Sequence, residues 1–245
     1  MIDHGEILIW ISLLLSIVST ILLSLSVKGR EKLISFAEMS IHGYTFALTL
    51  SFFLLLRYFL MRDFNVEYVF EYSDSNLSPL YTISALWAGR EGSLLLWAWY
   101  LALFNSVLVS RSKKDSVTLL SLIISSSVVL FFTAVLLTDY SNPFTRMDFT
   151  PPDGYGLNPL LRTIEMAIHP PTIFVGYAGM TIPFAMAIAG LIYRESWIKR
   201  ARSYLIISWI FLSFGIFLGA WWSYKTLGWG GYWAWDPVEN ASLLP

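Results

Sequence analysis

The run Ile7–Val27, ILIWISLLLSIVSTILLSLSV, carries no charged residue and is long enough to cross a bilayer, which takes about 20 apolar residues. It is too long for the apolar core of a cleavable signal, and no small-residue cleavage site follows it, so it reads as a first membrane span. Five more runs follow, over about Phe36–Leu56, Leu94–Val109, Val117–Leu137, Thr172–Ile192 and Tyr204–Trp222. The expected fold class is an all-α integral membrane protein with about six transmembrane helices.

Composition agrees. Of 245 residues, 56% are hydrophobic and 13% charged. Soluble domains average about 25% charged residues. The net charge of −1 gives no basis for binding nucleic acid. There are no cysteines, which excludes disulfides, thiolate metal ligands and a thiol nucleophile within the chain.

Lys28, Arg30 and Lys32 follow the first run; Arg111, Lys113 and Lys114 follow the third; Arg194, Lys199, Arg200 and Arg202 follow the fifth. With six spans these loops share one side, and they hold most of the sixteen basic residues, so that side is expected to be cytoplasmic. The N-terminus, loops 62–92 and 138–171, and the tail are then expected on the outer face of the cytoplasmic (inner) membrane. The 138–171 loop carries Asn142-Pro143, Pro151-Pro152, Asn158-Pro159 and Pro170-Pro171, which favour turns over long helices. Two regions are expected: a helical bundle with its outer loops over 1–223, and a short segment over 224–245 that opens a helix.

That segment concentrates the candidate chemistry. Trp229, Gly230, Gly231, Tyr232, Trp233 and Trp235 set four rings beside two glycines, which admits close approach of a broad flat ligand. Rings at an interfacial belt are the plain alternative, and account well for Trp221, Trp222 and Tyr224. Asp236, Pro237 and Glu239 spell a helix start of capping-box type, favoured here over a catalytic pair; the amides of such a start would also suit an anionic propionate. His169 precedes Pro170-Pro171, which would open the fifth helix as its first turn and leave the imidazole at the helix start. A neutral imidazole there could ligate haem iron, or could simply hydrogen-bond water or Glu165. His42 is expected to bond a neighbouring helix or a lipid headgroup, and Arg90-Glu91 to form an ion pair at a span entrance. Arg146 and Arg162 lie in the outer loop, where a solvated position is more expected than pairing with a propionate or a lipid phosphate.

Taken together, Gly228-Trp229-Gly230-Gly231-Tyr232-Trp233-Ala234-Trp235-Asp236-Pro237-Val238-Glu239-Asn240-Ala241-Ser242 resembles the WWD signature of haem-handling membrane proteins. Glu91-Gly92-Ser93-Leu94-Leu95-Leu96-Trp97, Leu157-Asn158-Pro159-Leu160-Leu161, His169-Pro170-Pro171 and Asp63-Phe64-Asn65-Val66-Glu67-Tyr68-Val69 narrow the resemblance to the CcmF-type cytochrome c haem lyases. These segments are shared with the paralogue NrfE.

The resemblance implies a haem lyase, a holocytochrome c synthase in type. It would take haem from the chaperone CcmE, hold it at the WWD surface, and join it by thioethers to the CXXCH cysteines of apocytochrome c, with thiol-handling factors such as CcmH. It also implies a resident haem b that relays electrons from quinol, with His169 as one axial ligand to its iron. Trp229, Gly230, Gly231, Tyr232, Trp233, Trp235, Asp236 and Glu239 would form the haem surface. No catalytic residue is assigned.

The family's other haem-gripping histidines fall beyond Pro245, so the chain is expected to be an N-terminal part that is incomplete alone. Its complement would be a separate C-terminal polypeptide, whether by gene splitting or by truncation. A haem carrier without bond-forming chemistry would need a polar path through the spans, and almost no ionisable residue lies at their centres. An ion-translocating respiratory subunit would need buried charge pairs there. A third alternative is the inert remnant of a broken gene.

Overall fold

A computed structural model describes residues 2–226 and 231–244. Six helices are long and apolar enough to cross a membrane: α1 His4–Val27, α2 Ile34–Met61, α5 Arg90–Arg111, α6 Ser116–Leu136, α7 Ile164–Tyr193 and α8 Ile198–Thr226. Three short helices accompany them: α3 Glu67–Tyr72, α4 Pro79–Ser84 and α9 Pro237–Leu243. Among the described residues the only β pairing is an isolated bridge between Val66 and Arg146. The chain is an all-α, multi-pass membrane protein.

Helices α1, α2, α5, α6 and α7 pack into a bundle, and α8 lies along α7. The α1 face that packs is lined by Ser12, Ser16, Ser19 and Ser26, all buried. Small residues let helix backbones approach where lipid gives no hydrophobic drive to associate. Ser12 and Ser26 return their hydroxyls to carbonyls one turn back, so they are satisfied within α1. A polar contact crosses the centre: Asn105 Nδ2 donates to the Tyr44 hydroxyl at 2.9 Å, and that oxygen lies 3.2 Å from Ser126 Oγ.

The α1–α2, α5–α6 and α7–α8 connections share one end of the bundle. There Lys114 pairs with Glu38 at 2.6 Å and Arg200 with Asp115 at 2.6 Å. His42 Nδ1 lies 2.7 Å from Ser106 Oγ on α5, the helix-to-helix contact expected of it.

At the opposite end, loops 62–89 and 137–163 are laced together. Glu67 N donates to Thr145 O, Met147 N to Asn65 O, and Tyr155 N to Phe70 O. Arg146 is the knot. Its Nε and Nη2 bond Asp3 Oδ2 at 2.9 and 2.8 Å, and its Nη1 bonds Asp63 Oδ2 at 3.0 Å. Its guanidinium also sits over the Tyr58 ring. Partial burial opposes the charge, but Asp3 and Asp63 outweigh it and hold the arginine proton more tightly than usual. Arg162 pairs with Asp74 and donates to Leu157 O. Neither arginine is merely solvated, contrary to the expectation from sequence. Arg90 and Glu91 do form an ion pair, at 2.9 Å.

Helix α7 begins earlier than the prolines suggest. Thr163 caps it by accepting from Met166 N, and Pro170 and Pro171 lie inside it. Pro170 cannot donate to Met166 O, its partner four residues back. The Trp87 indole takes that carbonyl instead, at 3.3 Å. His169 therefore sits past the first helical turn and not at the helix start. Helix α8 likewise starts at Ile198 and runs to Thr226, beyond both expected ends of the sixth span.

Candidate functional site

The site lies where the start of α7 and the end of α8 meet the tail. Their contact is set by glycine. A Cβ on Gly215 would fall 2.8 Å from Ile173 Cβ, and one on Gly176 would fall 2.5 Å from Leu212 Cγ. Gly215 and Gly219 stand four residues apart on α8, the small-xxx-small spacing that lets two helices touch backbone to side chain.

That approach brings His169 onto α8. Its Nδ1 lies 2.8 Å from Gly215 O. A carbonyl only accepts, so Nδ1 carries the proton, and the lone pair of the neutral ring is on Nε2. The ring packs on Gly219, where an added Cβ would lie 2.7 Å from His169 Cε1. Glu165 is not its partner: that carboxylate pairs with Lys225 at 2.7 Å, tying the first turn of α7 to the last of α8.

The tail folds back over this place. Tyr232 stacks on Tyr224 with centroids 4.3 Å apart and planes 6° from parallel, and Ser223 Oγ donates to Gly231 O. Asp236 then caps α9 by accepting from Glu239 N at 2.8 Å, while Glu239 Oε2 accepts from Ala234 N at 2.7 Å. The Asp236 cap is the half of the helix-start device that the sequence spells; Glu239 reaches past the cap residue's own amide to Ala234 N, so the reciprocal half of a capping box is replaced by a bond to the incoming tail. It leaves Trp235 at φ 60, a left-handed backbone uncommon for a bulky residue. Asn240 holds that corner, donating to Trp235 O and accepting from Trp233 Nε1.

The result is a cleft of about 330 Å3 with His169, Tyr177, Gly219, Trp222, Trp233, Asp236 and Glu239 among its lining residues. Ligand sites of this kind are mostly apolar, with a few placed polar groups. Here one imidazole with a free lone pair and two carboxylates at a helix start share a mostly apolar wall in which Tyr177, Trp222 and Trp233 stand among aliphatic side chains such as Ile173 and Ile216. Asp236 also caps α9 and Glu239 also ties Ala234 N to it, so they hold the wall in place.

His169, Trp233, Asp236 and Glu239, taken from separate motifs, thus share one cleft. Tyr232 and Trp235 do not line it; both are largely exposed, and Tyr232 flanks a neighbouring groove with Phe217, Trp221 and Tyr224. Gly231 braces the tail through its carbonyl. Trp229 and Gly230 lie outside the described residues. Sequence reasoning missed Tyr177 and Gly219, and gave Trp222 only an interfacial role. The signal for Tyr177 was present: residues 169, 173 and 177 recur every four positions, on one helix face.

A family model described as "Cytochrome C assembly protein" matches residues 87–245. The cytochrome c-type biogenesis protein NrfE of Haemophilus influenzae is 42% identical over 222 residues, covering 89% of this chain and 35% of its own. The biogenesis protein CcmF of Pseudomonas fluorescens is 38% identical over 249 residues, covering 99% and 38%. A solved structure of the cytochrome c heme lyase CcmF superposes with a TM-score of 0.83 at 31% identity, over 97% of this chain and 38% of that one. The chain spans little more than a third of the length of these relatives.

Proposed function

This chain belongs to the cytochrome c assembly protein family, and from that premise we propose that its tail-end cleft holds haem as a substrate for attachment to apocytochrome c. The observation that carries this reading is the cleft shared by His169 and the tryptophan-rich tail. His169 Nε2 is the one nitrogen there with a lone pair to offer iron, and Gly215 O fixes its tautomer, as second-shell carbonyls do for metal-bound histidines. Trp233, Trp222 and Tyr177 supply ring faces for a porphyrin and exclude water.

The resemblance in sequence divides this work between two haems, with His169 on a resident haem b and the tail on the transient one. The shared cleft favours one haem served by both. On this reading a haem b that relays electrons from quinol takes its ligands from residues other than His169.

The chemistry asks little of this chain beyond placement. Each thioether forms when a cysteine S–H adds across a vinyl C=C, with no net oxidation or reduction. The thiols come from the apocytochrome, since this chain has none. Holding the haem edge against incoming thiols is a positioning task, and positioning alone can contribute several kcal/mol to a barrier.

The basic connections then face the cytoplasm and the cleft faces outward, across the inner membrane. The partners on this reading are CcmE as haem donor, apocytochrome c and thiol-handling factors such as CcmH.

The test is His169→Ala in cells carrying the whole maturation system, scored by Soret absorbance of the purified complex and by covalent haem on the cytochrome. Both should fall, and added imidazole should restore part of the Soret band. Wild-type Soret and thioether yield in His169→Ala would refute the reading. Loss of Soret absorbance with unchanged thioether yield would leave haem carriage without attachment.

A further inference from the structure

At the end of the bundle opposite the tail, a second and larger cavity of about 690 Å3 opens between α5, the start of α6, and α8. Its two long walls are regular. Phe104, Val107 and Arg111 come from one face of α5, and Arg200, Ser203, Tyr204 and Ile207 from one face of α8, each set spaced by three and four residues. Ser112, Lys113, Asp115 and Thr118 close the end.

The charges sort by depth. Asp115 pairs with Arg200 at 2.6 Å and also caps α6 by accepting from Thr118 N, so its charge is used within the chain. Arg111 and Lys113 make no ion pair among the described residues, and both are exposed. The rim is therefore cationic, while one to two turns deeper the walls are Phe104, Val107 and Ile207, two of them exposed toward the lipid.

We propose that this cavity is a site for one anionic phospholipid, its phosphate at Arg111 and Lys113 and its acyl chain along Phe104, Val107 and Ile207. A free phosphate would use the rim and waste the apolar floor. A neutral lipid would use the floor and leave the two cations unmatched. Only an anionic amphiphile matches both, and basic pockets between spanning helices at this end are where such headgroups bind. A bound lipid would also join α8 to α5 near the Arg200–Asp115 contact, away from the α7 face that α8 otherwise rests on.

The test places the full chain in nanodiscs of mixed phosphatidylglycerol and phosphatidylcholine and reads retained lipid by native mass spectrometry. One phosphatidylglycerol should survive release. Arg111→Gln/Lys113→Gln should weaken it by about fivefold per charge removed, about twenty-fivefold together. Lys28→Gln/Lys32→Gln, on the α1–α2 connection at the same end, should retain it. Ser203→Phe, which sets a ring between the two long walls and leaves every charge in place, should weaken its retention. Equal retention of phosphatidylcholine, displacement by inorganic phosphate, equal loss in the Lys28/Lys32 control, or full retention in Ser203→Phe would each overturn the proposal.

Discussion

Two places at the same end of this bundle hold buried polar side chains, and they use them oppositely. Around Arg146, guanidinium donors meet Asp3 and Asp63, and the Tyr58 hydroxyl also reaches Asp3. Around His169, among the described residues, only one ring nitrogen is committed, to Gly215 O, and the other belongs to a cleft. The first arrangement commits its charges to one another and joins α1, α2 and the 137–163 loop, although Asp3 and Arg146 also line a cleft of about 340 Å3. The second is braced from behind by one bond and presents its other nitrogen to a cleft of about the same size. What separates clamp from site is therefore the lone pair left to offer, not the presence of a cavity.

This contrast can be broken most severely at Arg146. Arg146→Ala leaves the Asp3 carboxylate, whose side chain is 3% exposed, with only the Tyr58 hydroxyl and Gly5 N as donors; removing one partner of a fully buried pair costs about 3–5 kcal/mol, and the loss here should fall at or below the low end of that range because Arg146 is 29% exposed. Thermal unfolding in detergent should register that loss, while haem retention per folded molecule stays unchanged. A fall in haem retention that exceeds the loss of folded protein would erase the distinction between clamp and site.

Gly219→Val probes the other side. Its side chain would occupy the place of the His169 ring and turn it off Gly215 O. Haem retention should drop about tenfold or more, a matter of about 1.4 kcal/mol, with the bundle still folded by circular dichroism. Unchanged haem affinity would mean that the ring's orientation is immaterial.

Asp236→Ala removes the α9 cap and should cost about 1 kcal/mol locally. Faster amide exchange over 237–243 would report it, with haem retention reduced less than in Gly219→Val. Asp236→Asn, which still caps, separates the cap from the charge.

The smallest effect concerns Glu71, in the laced loops. Burial raises its proton affinity, and Glu67 and Glu91 add to that. A carboxyl whose folded pKa is raised favours folding while protonated. That contribution is complete below the ordinary glutamate range and is lost as pH climbs through the raised value. Glu71→Gln should therefore raise the melting temperature slightly at pH 7 and leave it unchanged at pH 4. Equal effects at both pH values would refute the assignment.

The six spans were legible because lipid imposes one simple rule, long apolar helices, that a single sequence can display. The Asp236 cap was legible because a helix start is local, while the turn of Glu239 to Ala234 N instead of the cap's own amide was not. The start of α7 was not. His169-Pro170-Pro171 looks like a beginning until Trp87, from a distant segment, takes the carbonyl that Pro170 leaves free. The meeting of His169 with Trp233 was hidden for the same reason: it depends on how closely Gly215 and Gly219 let α8 approach α7, and on the tail's return along Tyr224. The fate of Arg146 and Arg162 was equally non-local, since their carboxylates come from far along the chain.

The central claim is that His169 and the tryptophan-rich tail serve the same haem. Resonance Raman spectra and haem content of the assembled complex, taken for His169→Ala, Trp233→Ala and the double variant, test it directly. The account predicts that each single variant depletes the same spectral species and that the double variant removes no further haem. Two distinct species, one lost with each substitution and both lost in the double variant, would contradict it.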